Sequence, residues 1–330
     1  MAIADERKQQ FPQISILMAT YDPRLDWLRE QLNSLNQQTY PNLYLYIQDD
    51  CSPTIPFETI QRLAEECITA FPFEIQKNEK NLGSNLTFEA LTKSAKGDYF
   101  AYCDQDDIWM PEKLEKLMNH IRVENAKLIC SDMLIIDGQG VQTAESITQV
   151  RKHHVFRSGE GLAPQLIVSN FVTGCTMMMP AAIAKEAVPF CPYMVHDQYL
   201  AFYAASRGKV VSLEEPLIHY RIHQSNQTLA MAGVFDKQSY YTKRILLMKE
   251  RAEWLAAHYR NDPILEPVLR DACIWANARV RNYQGDKAAK NEIWKYRSFS
   301  PLTSLLEIVM AQAPEKLFMF FVEMKRKNIV

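Results

Sequence analysis

Between Gln13 and Asp132 short apolar runs alternate with segments whose apolar residues recur at helical spacing. The runs are ISILMAT (14–20), LYLYIQ (43–48), FEIQK (73–77), DYFAYC (98–103) and KLICSD (127–132). Between them lie LDWLREQLNSL (25–35), FETIQRLAEECI (57–68), SNLTFEALTKSA (84–95) and PEKLEKLMNHI (111–121). A strand that is apolar almost throughout has both faces covered, and a helix between two such strands is a crossover. The pattern therefore predicts an α/β fold whose mostly parallel sheet is flanked by helices, joined by right-handed connections.

After Asp132 the alternation weakens. Residues 137–160 read as loops, FVTGCTMMM (171–179) as a strand, and HDQYLAFYAASRG (196–208) as a helix stopping at Gly208. KVVSLEEPLIHYRIH (209–223) reads as strand, turn at Pro216, and strand. From about Val234 the pattern is helical, with breaks at Pro263, Pro301 and Pro314. The expected division is a catalytic domain over 13–228, with a nucleotide-binding half (13–132) and an acceptor half (133–228). A helical C-terminal region follows over 229–330.

Bulk properties narrow the function. A net charge of −2 gives no general attraction to nucleic acid. The seven cysteines lack CxxC spacing and are expected to be reduced thiols in a cytoplasmic protein, not a disulfide frame or zinc site. The start MAIADERKQQ is polar, and no window offers about eighteen uninterrupted apolar residues, so no signal region or membrane span is expected.

Ligands of open α/β sheets bind beyond the carboxyl ends of the strands. The first four exits read Thr20-Tyr21-Asp22, Asp49-Asp50-Cys51-Ser52, Asn81-Leu82-Gly83-Ser84-Asn85 and Asp104-Gln105-Asp106-Asp107. All are polar and three carry aspartate. In the fourth, three carboxylates fall within four residues. Like charges this close repel, so a positive partner is expected nearby. Mg²⁺ or Mn²⁺ fits, because these ions take hard oxygen ligands together with phosphate oxygens. Capping of the following helix is the competing explanation; it accounts for Asp107 but not for three acids. No glycine-rich dinucleotide loop or P-loop is present, which argues against dehydrogenases and P-loop NTPases.

ISILMATYDP, QQTYPNLYLYIQDDCS, KNLGSN, GDYFAYCDQDDIWMPEKL, TGCTMMMP, HDQYLA and PLIHYRIHQSN, in that order, resemble the family 2 glycosyltransferases of GT-A fold. The variants DQDDIW, TGC, HD and YRxHxxN look most like bacterial rhamnosyltransferases. The resemblance covers about residues 13–228. It implies a Rossmann-like GT-A domain and an inverting, metal-dependent sugar transfer, with L-rhamnose from dTDP-L-rhamnose as donor and a saccharide acceptor, lipid-linked, in cell-surface polysaccharide synthesis. By resemblance Thr20 and Tyr21 line the nucleotide pocket and Asp50 accepts the pyrimidine N–H. Asp104 lies nearer the ribose or sugar, Asp106 binds Mn²⁺ or Mg²⁺, and Asp197 is the catalytic base. Many relatives have Glu-Asp where this chain has His196-Asp197.

Several assignments keep two readings. Asp197 either caps its helix or is the base. His223 is either an ordinary polar residue or a contributor to the metal site. Trp109 either stacks on an acceptor sugar or anchors a helix start; His196 is the other acceptor-side candidate. Asn81 joins the donor-side candidates, and so does Arg221, one strand step from His223 and on the same face if that segment is extended. The terminal EKLFMFFVEMKRKNIV either packs as a helix, on this chain or in a homo-oligomer, or lies on an anionic membrane at the inner face of the cell. Two other functions stay open: the same mechanism with a UDP-hexose donor, and a non-catalytic protein that binds a nucleotide sugar or carbohydrate.

Overall fold

In the computed structural model, residues 11–152, 154–223 and 233–326 are described. The first stretch contains β1 (Ile14–Thr20), α1 (Leu25–Asn36), β2 (Leu43–Asp49), α2 (Phe57–Cys67), β3 (Phe73–Lys77), α3 (Ser84–Ser94), β4 (Tyr99–Cys103), β5 (Ile108–Trp109), α4 (Lys113–Val123) and β6 (Leu128–Ile136). Then come β7 (Gln142–Ala144), α5 (Ile147–Val150), α6 (Ala163–Val168), β8 (Met177–Pro180), α7 (Ala181–Glu186), α8 (His196–Arg207) and β9 (Val210–Arg221). The remaining helices are α9 (Lys237–Tyr240), α10 (Leu247–His258), α11 (Leu265–Tyr283), α12 (Ala289–Lys295), α13 (Pro301–Met310) and α14 (Glu315–Arg326), with a π-helical segment at Tyr241–Leu246.

The sheet runs β3-β2-β1-β4-β8-β6-β9-β5, with β7 paired to β6. Strands β3, β2, β1 and β4 are parallel, as are β6 and β9, while β8 runs antiparallel between β4 and β6. Ile14, Ile16, Leu17 and Met18 of β1 are fully buried, as are Phe100, Ala101, Tyr102 and Cys103 of β4. This is the burial that continuous apolar runs require. Register then does the positioning. Thr20 lies opposite Asp49 and Met18 opposite Cys103. The residues that follow β1, β2 and β4 therefore emerge along one edge of the sheet, and so do Asp50 and the acidic turn.

Three expectations change. KVVSLEEPLIHYRIH is one strand, not two. Ser131 pairs with Leu213 but Asp132 pairs with Pro216, so Glu214 and Glu215 form a bulge that accommodates a proline lacking an N–H. FVTGCTMMM contributes only Met177–Pro180 as strand, because Gly174–Thr176 coil into a 3₁₀ turn. The supposed loop 137–160 contains β7 and the single turn α5.

The described residues form two compact units. The first holds those up to Gly161, Phe171–Phe190, and His196 to His223. The second holds Leu162–Asn170, Cys191–Val195 and the residues from Gly233 on. Arg251 of α10, held within this second unit, binds both of the earlier segments. Its Nη1–H donates to the Ile167 carbonyl at 2.6 Å and its Nε–H to that of Tyr193 at 3.0 Å. The helices are tied by a buried ion pair, Arg279 Nε to Glu307 Oε2 at 2.6 Å, with side chains 4% and 6% exposed.

Candidate active site

At the ends of β1 and β2 the acids are already occupied. Asp49 accepts the Thr20 hydroxyl at 3.2 Å and the Ser52 N–H and hydroxyl at 3.0 and 2.5 Å. Asp50, 3% exposed, accepts the Asn78 amide and the Leu82 N–H on Oδ1 and the Gly83 N–H on Oδ2, at 2.7, 2.8 and 2.8 Å. Gly83 can turn its N–H inward because it has φ +82°, which costs a residue without Cβ little. Asp50 thus organises the loop that carries Asn81, which is exposed. Tyr21, 47% exposed, is clamped by Gln105. The Tyr21 N–H donates to Gln105 Oε1 at 2.8 Å, and Gln105 Nε2–H returns to the Tyr21 carbonyl at 3.1 Å. The first and fourth strand exits are one structure.

The acidic turn has positive partners within the chain. Arg221, 1% exposed, donates from Nε to the Asp106 carbonyl at 2.8 Å and from Nη1 to that of Asp137 at 3.2 Å. Its Nη2 pairs with Glu30 at 2.5 Å, and its backbone N–H donates to Asp107 Oδ1 at 2.9 Å. The second partner is Lys113, which sequence reasoning missed. It is fully buried, its ammonium donates to the Cys175 carbonyl, and Nζ lies 3.2 Å from the centre of the Trp109 ring. Burial pushes this ammonium down to about 8, opposed by Cys175, Cys103, Asp107 and Asp104. Burial and the neighbouring Asp106 and Asp197 push Asp104 up to about 7. Asp107 rises for the same reasons, burial first and then Asp106 and Asp104.

Asp106 differs from its neighbours. Its side chain is 19% exposed, and Oδ2 lies 2.8 Å from His223 Nε2. The His223 ring packs against Trp27 at 4.9 Å. Asp104, Asp107 and Cys175 also bring ligand atoms within 4.8 Å of one another. Burial raises the Cys175 thiol well above its ordinary value, and Asp107 is committed to the Arg221 backbone. A protonated thiol and a committed carboxyl suit a hard cation poorly, whereas the outward Asp106 suits it.

Asp197 stands in the first turn of α8. Its Oδ2 accepts the Gly174 N–H at 3.1 Å and its Oδ1 the Gln198 N–H at 2.6 Å. Gly174 immediately precedes Cys175, whose carbonyl Lys113 holds, so the support of Asp197 continues into the support of the acidic turn. His196 stacks on Phe88 with centroids 4.1 Å apart. A Cβ on Gly174 would stand 2.8 Å from His196 Nε2, so the close approach needs glycine. That nitrogen is buried with no hydrogen-bond partner among the described residues.

Burial pushes the His196 imidazole down to about 3. In the unfolded chain it returns to about 6.5. Between these values the unfolded state binds the extra proton. The neutral ring's contribution is complete above about pH 6.5 and is lost as pH falls toward 3. Asp104, with a raised value, acts with the opposite sign, so the comparison must be made between variants. In chelator, the urea midpoint at pH 7 minus that at pH 5 should be more positive for wild type than for His196→Phe. Equal differences would remove this account of His196.

The acidic turn, Asp50, Asp197 and His223 all occur in the first unit, where Asp104 senses both Asp106 and Asp197. Other expectations are corrected. Trp109 is 2% exposed within the core, its backbone N–H bonded to the Ser34 hydroxyl at 2.9 Å, so it presents no face to a sugar. Arg221 is spent on the carbonyls and Glu30 as a scaffold of the turn. Asp107 does not cap α4, whose N-cap position is Glu112 with no side-chain bond. His154 packs edge-on against Phe156 at 4.9 Å with Nε2 buried.

The family model described as glycosyl transferase family 2 matches residues 15–186 of the 330. The chain belongs to glycosyl transferase family 2. Among other members, an uncharacterised glycosyltransferase of Nostoc sp. is 25% identical over 236 residues, 68% of this chain and 69% of the relative. A dTDP-rhamnosyl transferase of Shigella flexneri is 26% identical over 300 residues, 85% of this chain and 94% of the relative. Among solved structures, S. aureus TarS 1–349 in complex with UDP-GlcNAc has a TM-score of 0.55 at 17% identity, covering 85% of this chain and 83% of that one. That likeness identifies the fold of this glycosyltransferase as GT-A, with a helical C-terminal region added.

Proposed function

We propose that this glycosyltransferase moves L-rhamnose from dTDP-L-rhamnose to a saccharide acceptor, with inversion and with a divalent cation. The observation that carries the reading is the link between Asp197 and the acidic turn: Asp197 Oδ2 accepts the Gly174 N–H at 3.1 Å, and the next residue, Cys175, brings its thiol within 4.8 Å of the Asp104 and Asp107 carboxylates. A base candidate and donor-side acids therefore share one site. The Shigella relative named a dTDP-rhamnosyl transferase, aligned along most of both chains, supports rhamnose as the donor sugar.

The chain's own residues account for the steps as follows. Asp50 uses three acceptor positions internally and keeps one lone-pair position for the pyrimidine N–H. Tyr21 and Asn81 border the nucleotide. Asp106 and His223 would hold Mn²⁺ or Mg²⁺, with Asp104 behind them; the mutual repulsion of these carboxylates is what a cation relieves. When bound, the cation supplies Lewis-acid stabilisation of the leaving diphosphate. Asp197 takes the proton of the acceptor hydroxyl, its carboxylate held in place by the Gly174 and Gln198 amides. Direct attack from the face opposite the leaving group inverts the anomeric centre and requires no covalent intermediate. The acceptor we assign is lipid-linked, which places the enzyme at the cytoplasmic face of the membrane.

UDP-hexose is the second donor reading, favoured by the TarS complex with UDP-GlcNAc. A melting-temperature screen of nucleotide sugars with and without Mn²⁺ or Mg²⁺ tests both. A metal-dependent shift with dTDP-rhamnose is expected, since a ligand that binds the folded state raises its stability. Shifts only with UDP-sugars would overturn the donor. Binding without transfer under any condition would favour a non-catalytic binding protein.

A further inference from the structure

Lys113 is a fully buried ammonium at the first residue of α4. Taking such a charge out of water is unfavourable, and methionine would fill the same space without that cost. The surroundings show what the charge does. Nζ lies 3.2 Å from the centre of the Trp109 ring, on the short strand that follows the acidic turn. The ammonium donates to the Cys175 carbonyl, 62 positions along the chain. The charges of Asp107 and Asp104 also reach it. Neutralising those acids does not by itself call for the bond to Cys175, because a carbonyl has no net charge to neutralise.

Cys175 is the middle of the 3₁₀ turn Gly174–Thr176. The turn is closed by the Thr176 N–H and hydroxyl, which both donate to the Thr173 carbonyl, at 2.9 and 2.7 Å. A short turn pinned in this way passes a displacement at one end on to the other. Its Cys175 carbonyl is held by Lys113, and its Gly174 N–H holds Asp197 Oδ2 at 3.1 Å. We infer that Lys113 is a positioning residue: it fixes this turn, and through Gly174 the turn aims the Asp197 carboxylate at the acceptor. The acidic turn is held from the same point, since Lys113 follows Asp107 by six residues and packs on the ring of Trp109 between them. One buried ammonium thus sets the base and the donor-side acids in a common frame. The inference rests on the reading of Asp197 as the general base.

The test uses the full chain with Mn²⁺ and dTDP-L-rhamnose, or UDP-GlcNAc if the melting screen selects it. Water serves as acceptor, and release of the nucleoside diphosphate gives the rate. Lys113→Met, which keeps the length of the stem, should lower kcat by about 10²-fold, the effect of a misplaced reacting group, and leave the donor KM within about threefold. In the Asp197→Asn background the same substitution should lower the residual rate by less than about threefold, because the carboxylate it aims is gone. Equal fold losses in both backgrounds would overturn the inference and leave the base standing, and so would a wild-type rate for Lys113→Met. Asp197→Asn with a wild-type rate would overturn the base and the inference together. Should Lys113→Met not fold, Gly174→Ala disturbs the same turn with the ammonium in place, since its methyl would stand 2.8 Å from His196 Nε2. It should show the same loss, absent from the Asp197→Asn background, and a wild-type rate for it would overturn the inference.

Discussion

Asp197→Asn is expected to lower the rate of sugar transfer by about 10²–10⁴-fold, the usual contribution of a positioned general base. Donor binding should hardly change. Asparagine preserves the shape of the side chain, but its one carbonyl oxygen can serve only one of the two amides, Gly174 N–H and Gln198 N–H, that Asp197 now accepts. The resulting loss of stability is that of one hydrogen bond, on the order of 1 kcal/mol. The two effects differ enough to be told apart. Transfer rates at saturating donor, set beside donor affinity from calorimetry, separate them. If the variant retains transfer within about threefold of wild type, Asp197 is a helix-start residue only and the base must be sought elsewhere.

Glu307→Ala is expected to destabilise the helical unit by about 3–5 kcal/mol, the range for removing one partner of a buried pair. Arg279 would be left with two N–H donors aimed at nothing: Nε and Nη2 each now reach a Glu307 oxygen at 2.6 Å. The Tyr240 hydroxyl would also lose its bond to Oε1, at 2.7 Å. A urea titration followed by fluorescence of the α11 and α12 tryptophans reports this unit. Its midpoint should drop sharply, whereas Glu307→Gln, which keeps an acceptor, should drop less. A midpoint within experimental error of wild type for Glu307→Ala would show that Arg279 finds water or another partner.

Most of the fold was legible because β1 and β4 are apolar on both faces and the helices between the strands are not. The strand exits were legible for the same reason: once β1, β2 and β4 are placed, so are the residues that follow them. β9 was misread because Pro216 resembles a turn, and only pairing with β6 reveals the bulge that absorbs it. Lys113 was missed because PEKLEKL has the polarity of a solvated helix start. Its burial depends on the carbonyl of Cys175, 62 positions on, and on the Trp109 ring. Arg221 was placed by strand alternation on the face of His223. Its long side chain instead runs beneath the turn to Glu30, a partner 191 positions away that no local pattern announces.

Arg251 has a practical consequence for anyone who would shorten this enzyme. A cut just after His223 keeps every described strand, the acidic turn and the histidine paired with Asp106. It also deletes the guanidinium that gathers the carbonyls of Ile167 and Tyr193, and so strands two stretches of chain that the truncated product still contains. The helical portion is therefore not a cassette to be removed or exchanged at one splice point; a chimera must carry Leu162–Asn170 and Cys191–Val195 from the same parent as its α10.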